Sequence, residues 1–341
     1  MSVRVGTKMG LDEAKMRPDD ALREALTADM EAVNAVIRTR MASEHAPRIP
    51  EVTAHLVEAG GKRLRPLLTL AAARICGYGG RHHVDLAATV EFIHTATLLH
   101  DDVVDESARR RGRPTANLLW DNKSSVLVGD YLFARAFQLM VGTGSLPVLA
   151  ILSDAAAKIA EGEVLQLTAA RNLATTEDIY LQVVRGKTAT LFAAACEAGG
   201  LIAGAPAEQV EGLRVYGDAL GIAFQMADDW LDYGGAGDGI GKNLGDDFRE
   251  RKLTLPVIRA VAAADTAERA FWARVIEAGE QRDGDLAEAL AILNRHGALE
   301  ATRQQAFTWA ERARSALDPL PDHPLRDILR DLAEFVVSRK V

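Results

Sequence analysis

Two short acidic runs carry the strongest chemical signal in this chain. The first is His94-Thr95-Ala96-Thr97-Leu98-Leu99-His100-Asp101-Asp102-Val103-Val104-Asp105. On a helix, Asp101 and Asp105 lie one turn apart on one face, and His94 falls on the same stripe. Like charges at this spacing cost a few tenths of a kcal/mol each, so an isolated helix gains nothing from them. A hard divalent cation removes that cost, and all-oxygen ligation suits Mg²⁺. One such run is equally well explained as a solvated acidic helix end. The second run, Phe224-Gln225-Met226-Ala227-Asp228-Asp229-Trp230-Leu231-Asp232, repeats the pattern in the other half of the chain. Gln225, Asp228, Asp229 and Asp232 form one stripe, and both runs interrupt apolar helices where an unpaired carboxylate is strongly unfavourable. Two facing stripes would enclose several Mg²⁺ ions, whose remaining positions suit phosphate oxygens.

Basic residues supply the counterpart. Gly60-Gly61-Lys62-Arg63-Leu64-Arg65-Pro66 reads as a glycine-led turn opening a helix, where free N–H groups and cationic side chains make an anion site. Arg109-Arg110-Arg111-Gly112-Arg113 follows the first acidic run directly. Lys187-Thr188, Lys242 and Lys252 are isolated cations that, taken singly, read as surface residues. The glycine-rich stretch Gly234–Gly241 reads as a mobile lid or as a plain connection.

These residues need an all-α scaffold. Ala and Leu dominate, and apolar residues recur at spacings of three and four. Leu22, Leu26, Met30, Val33 and Ile37 define a first helical stretch from Asp19. The same period predicts helices over Val84–Asp105, Ser125–Met140, Leu146–Leu167, Thr176–Gly199, Glu208–Tyr233, Leu255–Val261, Thr266–Ala278, Asp285–His296, Leu299–Leu317 and Pro324–Arg339. No hairpin or βαβ alternation is visible. Residues 1–18 read as an N-terminal segment, disordered at its start, and residues 19–341 as one domain. The chain has 341 residues, a formal net charge of −8, 48% hydrophobic and 26% charged residues. That balance fits a globular protein and excludes both a disordered polyelectrolyte and a nucleic-acid binder that relies on a basic face. Two distant cysteines, Cys76 and Cys196, give neither a disulfide scaffold nor a zinc ribbon. No secretory leader or membrane-spanning run is apparent, so the sequence predicts a soluble cytoplasmic protein.

Taken together, the motifs GGKRLRP, EFIHTATLLHDDVVDESARRRG, SVLVGDYLFARAF, IAEGEVLQL, GKTATLF, FQMADDWLDY and GKNLGDDFRERKLTLP resemble those of the trans-polyprenyl diphosphate synthases, especially the octaprenyl and decaprenyl type. The likeness runs from about Asp19 to the C-terminus. It implies a single helical bundle of the isoprenoid-synthase type with a central cavity, a homodimer, and about three Mg²⁺ ions per site. Asp101, Asp102, Asp105, Asp228, Asp229 and Asp232 are implied as the metal-holding residues and, with Lys187, as the catalytic set. Arg110, Lys187, Thr188, Gln225, Lys242 and Lys252 are implied as partners of an allylic diphosphate. Lys62, Arg65, His94 and Arg111 are implied as the isopentenyl diphosphate pocket, with Gln166 facing the same cavity. Ala96 and Thr97, small where short-chain relatives carry an aromatic residue, imply an open tunnel, with Phe133 and Phe137 as its floor. Relatives read Glu-Gly-Lys where this chain has Glu250-Arg251-Lys252.

The implied activity is repeated addition of isopentenyl diphosphate to an allylic diphosphate by ionisation, condensation and elimination, for a quinone side chain. Any membrane contact is transient, at product release. Four other readings stay open. A shorter-chain farnesyl or geranylgeranyl synthase shares the motifs. A class I terpene cyclase needs no isopentenyl site, and a head-to-head synthase carries different aspartate motifs. A regulatory subunit ordinarily lacks one of the two intact here.

Overall fold

The computed structural model describes residues 16–58, 60–110, 112–234 and 244–339. The chain runs through α1 (Pro18–Ala25), α2 (Thr27–Met41), α3 (Arg48–Glu58), α4 (Leu64–Ile75) and α5 (His82–Val104). It continues with β1 (Arg109–Arg110), β2 (Arg113–Pro114), α6 (Ala116–Leu119), α7 (Asn122–Gly142), α8 (Leu146–Ala169), α9 (Glu177–Val184), α10 (Thr190–Ile202) and α11 (Ala207–Gly234). The C-terminal third holds α12 (Asp246–Arg249), α13 (Leu255–Ala263), α14 (Thr266–Trp272), α15 (Asp285–Arg295), α16 (Ala298–Ala316) and α17 (Pro324–Ser338). The fold is all-α, as the periodicity predicts.

α10 is apolar on nearly every side, as a central helix must be, and it packs against α4, α5, α8 and α11. Small residues permit these close approaches. A Cβ on Gly217 of α11 would lie 2.4 Å from the Phe192 carbonyl oxygen of α10, and one on Gly199 of α10 2.5 Å from that of Thr69 in α4. Around this axis, α5 packs on α4 and α7, and α11 on α16. The main core includes Phe92, Ile93, Leu99, Phe192 and Tyr216, all at most 1% exposed. A second core, built on Phe248, Val257, Trp272 and Ile292, gathers α12 to α15.

Four stretches depart from the simple periodic reading. The helix expected over Thr176–Gly199 is divided by a π-helical turn at Arg185–Ala189, and that over Thr266–Ala278 ends in another at Ala273–Glu277. The insertion of one extra residue per turn leaves the apolar period of the flanks intact, so spacing alone does not reveal it. The first helical stretch breaks at Leu26, whose φ of −116° and ψ of 20° leave the helical region while its side chain stays buried. A two-residue antiparallel pair, Arg109 with Pro114 and Arg110 with Arg113, forms where no hairpin was expected; it is too short to give an alternating pattern.

Candidate functional site

At the end of α5 the first acidic run divides into two environments. Asp102 is 1% exposed, and its Oδ1 accepts from Arg110 Nε at 2.9 Å with Arg110 Nη2 at 2.7 Å. The β1–β2 pair places Arg110 for this contact. Asp102 Oδ2 is buried without a hydrogen-bond partner among the described residues. Asp101 and Asp105 instead share the less enclosed stripe with His94 and Thr97. Burial, opposed chiefly by the Lys187 ammonium, raises the Asp101 carboxyl above the usual carboxylate range.

Lys187 reaches this stripe from the π-helical turn between α9 and α10. Its Nζ lies 2.8 Å from Glu163 Oε2 and 3.7 Å from Asp101 Oδ2. Single-turn π-bulges recur at functional sites because the extra residue redirects side chains. Here consecutive residues face different partners. Lys187 meets the first acidic run, while Thr188 donates from Oγ1 to Gln225 Oε1 at 3.2 Å on α11, beside the second.

All three carboxylates of the second run are held by protein donors. Asp228 is paired with Arg339, whose guanidinium sits 4.6 Å from the Phe224 ring centroid. Asp229, 3% exposed, accepts from Tyr180 Oη at 2.6 Å and from Gln225 Nε2 at 2.9 Å. Burial, followed by the Asp247 carboxylate, pushes Asp229 up to about 7. Asp232 Oδ2 accepts from the Asp247 backbone N–H at 3.1 Å, and its carbonyl from that of Gly245 at 2.9 Å. These two bonds dock the turn bearing Lys252 against α11. Lys252 Nζ pairs with Glu250 at 2.5 Å and lies 3.6 Å from Asp247. Arg251, where the family resemblance implies glycine, adopts φ of 57°, the left-handed conformation that glycine favours. The backbone shape is therefore kept without the residue best suited to it.

The basic face is built at the start of α4. Gly60 at φ of 71° and Gly61 at 158° turn the chain, and Arg63 stands at the helix entrance with φ of 49°. Such a left-handed residue costs about 1–2 kcal/mol; an ion pair from Arg63 to Glu91 at 2.7 Å, at the far end of α5's stripe, opposes that cost. Arg65 lies over the Phe192 ring at 4.4 Å, with Nη1 3.2 Å from His94 Nε2. Partial withdrawal from water, then the charge of Arg339, lowers the Lys62 ammonium below its usual value. Arg339 is itself paired with Asp228, whose carboxylate opposes that lowering.

Among the expected residues, Asp101, Lys187, Thr188, Gln225 and Asp229 are joined by these contacts, and Arg65 and His94 by a second; Lys62 stands just before the same helix, under the influence of Arg339 and Asp228 instead. Gln166 is half-buried one turn beyond Glu163 on α8. Arg110 faces Asp102 rather than open solvent. Ala96 is fully enclosed, and Thr97 is half-buried with its hydroxyl donating to the His94 carbonyl at 2.8 Å. Of the two floor candidates, Phe133 packs against the main core, while Phe137 points outward from α7 at 43% exposure. The chain's own interior thus offers a wall at Phe133 and none at Phe137. Arg111, Lys242 and the glycine-rich stretch after Gly234 lie outside the described residues. Glu163, Tyr180 and Arg339 were missed. The acidic pair in IAEGEVLQL pointed to Glu163. Nothing local singles out Tyr180, and Arg339 stands past the last helix, far from any motif.

The donor set fits a hard cation. Carboxylate oxygens of Asp101 and Asp105 and the unpartnered Asp102 Oδ2 are the ligand type that Mg²⁺ takes. Among the described residues no three acidic, His or Cys side chains are gathered around one point.

An all-α bundle with two acidic stripes and an anion pocket defines an isoprenoid-synthase type of protein, and comparison with known proteins gives the same answer. Residues 46–293 match the polyprenyl synthetase family, to which the chain belongs. It is 46% identical over 320 residues to octaprenyl diphosphate synthase of Escherichia coli (strain K12), covering 94% of this chain and 98% of that one. The crystal structure of a decaprenyl diphosphate synthase from Rhodobacter capsulatus superposes with a TM-score of 0.91 at 73% identity, over 94% of this chain and 98% of that one. A polyprenyl synthase from Caulobacter crescentus CB15, complexed with calcium and isoprenyl diphosphate, gives 0.89 at 51% identity, over 95% and 98%. The chain is a prenyltransferase, a long-chain polyprenyl diphosphate synthase with the all-α terpenoid-synthase fold. No helix among the described residues is long and apolar enough to cross a membrane.

Proposed function

We propose that the cleft between the two acidic runs binds an allylic diphosphate through Mg²⁺, and that the Lys62–Arg65–His94 face binds isopentenyl diphosphate. The observation that carries this reading is the Lys187–Thr188 pair, which ties Asp101 to Gln225 and Asp229 across the cleft. Asp101, Asp102 and Asp105, with Asp228 and Asp232, would hold about three Mg²⁺ ions. When bound, these supply positive charge that stabilises diphosphate as a leaving group. Lys187, Thr188, Gln225 and Arg110 orient that diphosphate, joined by Lys252, Lys242 and Gln166 at the rim. On ionisation the allylic C–O bond breaks with both electrons leaving on oxygen. The π electrons of isopentenyl diphosphate then form the new C–C bond. The proton lost from the adduct passes to the departing diphosphate, so no side-chain base is needed. Phe192, buried beneath the Arg65 guanidinium, helps keep water from the cation.

The product retains an allylic diphosphate and re-enters the cycle. On this reading residues 19–341 act as one cytoplasmic domain. The chain lengthens its product to the octaprenyl or decaprenyl class for a quinone side chain, and works as a homodimer. The outward face of α7, with Leu127, Phe137 and Val141 at 66%, 43% and 64% exposure, supports the last point, since apolar stripes of this kind mark association surfaces. Mg²⁺-dependent release of diphosphate that requires both substrates tests the reading. Release from the allylic substrate alone would favour a cyclase, and no release by the isolated chain a regulatory subunit.

A further inference from the structure

Asp229 differs from its neighbours in the second acidic run. It is 3% exposed, and both its oxygens are spent on neutral protein donors, Tyr180 Oη at 2.6 Å and Gln225 Nε2 at 2.9 Å. Tyr180, itself 6% exposed, brings its hydroxyl from α9. A phenol–carboxylate contact this short is among the stronger hydrogen bonds in a protein. Because Gln225 commits its amide N–H to Asp229, its carbonyl oxygen is left to accept from Thr188. The result is a continuous relay, Tyr180 to Asp229 to Gln225 to Thr188, whose last member adjoins Lys187. It spans α9, α11 and the π-helical turn, the elements that would flank the allylic diphosphate.

We propose that Tyr180 is a positioning residue of the allylic diphosphate site, and that Asp229 serves it as an internal strut rather than as a metal ligand. The inference rests on reading Gln225 and Thr188 as diphosphate partners. Without the hydroxyl, Asp229 Oδ2 is left unpaired in a buried setting. The carboxylate then turns toward other donors, and Gln225 and Thr188 lose their fixed orientation. Packing of the ring against the core is unchanged, so the effect falls on ligand geometry more than on folding.

Purified full-length Tyr180→Phe and Val184→Ala separate the two. Val184 is buried on the same helix at 4% exposure and makes no side-chain hydrogen bond, so its truncation reports packing alone. The measurements are calorimetric affinity for inorganic pyrophosphate in Mg²⁺, melting temperature without ligand, and KM for each substrate. Tyr180→Phe is expected to weaken pyrophosphate binding and raise the allylic KM about tenfold, with the isopentenyl KM within about twofold. Val184→Ala is expected to lower the melting temperature and leave all three constants within about twofold. In an Asp229→Ala background, where the hydroxyl has no carboxylate to hold, Tyr180→Phe should add nothing further to either KM. Equal shifts in both KM values, or a Tyr180→Phe profile matching that of Val184→Ala, would overturn the proposal. Wild-type pyrophosphate binding that Asp101→Asn leaves unchanged would instead bring down the diphosphate-site reading, and this inference with it.

Discussion

Gly162 on α8 and Gly186 in the π-helical turn meet backbone to backbone. A Cβ on Gly162 would lie 2.7 Å from the Lys187 nitrogen, and one on Gly186 2.9 Å from Gly162 Cα. This contact lets Glu163, the next residue on α8, hold the Lys187 ammonium. Gly162→Ala presses on backbone atoms that have no rotamer to escape into, a cost of about 1–3 kcal/mol for overpacking. The expected outcome is a melting temperature lowered by several degrees and turnover reduced more than tenfold. Glu163→Gln, which keeps the shape, should leave the melting temperature nearly unchanged and shift the allylic KM. A Gly162→Ala enzyme with normal turnover would show that the turn has room to move.

Asp101 and Asp102 are adjacent, yet the structure separates their roles. Asp102 is enclosed with Arg110, so Asp102→Ala strands a guanidinium and should destabilise the fold, by less than the roughly 3–5 kcal/mol typical of a fully buried pair because Arg110 reaches solvent. Asp101 carries a carboxyl that burial already disfavours. Asp101→Asn should therefore leave the ligand-free melting temperature unchanged or raise it, while Asp101→Ala and Asp105→Ala cost several orders of magnitude in turnover. Thermal melts paired with single-turnover assays at saturating Mg²⁺ check both halves. Near-normal turnover in Asp101→Ala would refute the metal assignment.

The two basic groups predict separable substrate effects. Removing Lys62 or Arg65 should raise the isopentenyl diphosphate KM more than the allylic one, and removing Lys187 the reverse. Steady-state kinetics with each substrate varied in turn decide it. Equal effects would mean one shared site.

Much of this was legible from spacing. Both acidic stripes, the glycine-led turn and nearly every long helix follow from residue periodicity, because a helix core-facing stripe and a ligand-facing stripe obey the same 3.6-residue repeat. The π-helical turns did not show, since an inserted residue leaves each flank periodic. Tyr180, Glu163 and Arg339 lie 49, 24 and 111 residues from the Asp229, Lys187 and Asp228 side chains they hold. Pairings that distant are set by tertiary packing, which no local pattern records.

The C-terminal third predicts its own acid sensitivity. His296, the Asp265 backbone N–H and Arg295 hold Glu268 down to about 2, and Arg274 with the Arg282 backbone N–H holds Asp285 to about 2. Folded values below the unfolded ones mean that the stabilisation is fully present above the unfolded values of 4.5 and 3.8. It is lost as pH falls through about 2. Glu268→Gln and Asp285→Asn should each lower the melting temperature at pH 7 and flatten its decline between pH 5 and 2. A decline as steep as wild type would show that other carboxylates carry the acid response.

Product length tests the route of the growing chain. The tail must leave the diphosphate near Asp101 and run back along α5, and four or five residues earlier it passes Thr97 and Ala96, about 6–7.5 Å deeper at about 1.5 Å per residue. Thr97 shares the half-buried stripe of His94 and Asp101, whereas Ala96 is fully enclosed. Helix geometry alone therefore favours Thr97 as the lining residue. The family resemblance favours Ala96, because neighbouring helices complete the tunnel wall. A tyrosine at Ala96 fills about the space an advancing isoprene unit needs. Ala96→Tyr is predicted to shorten the product to the farnesyl or geranylgeranyl class while the first condensation stays active. Mass analysis of the dephosphorylated products, with Thr97→Tyr in parallel, reads the outcome directly. An unchanged long product from Ala96→Tyr, with shortening by Thr97→Tyr, would move the tunnel to the Thr97 stripe. An insoluble Ala96→Tyr chain beside a soluble Ala96→Ser chain of normal product length would identify Ala96 as a close-packed core position.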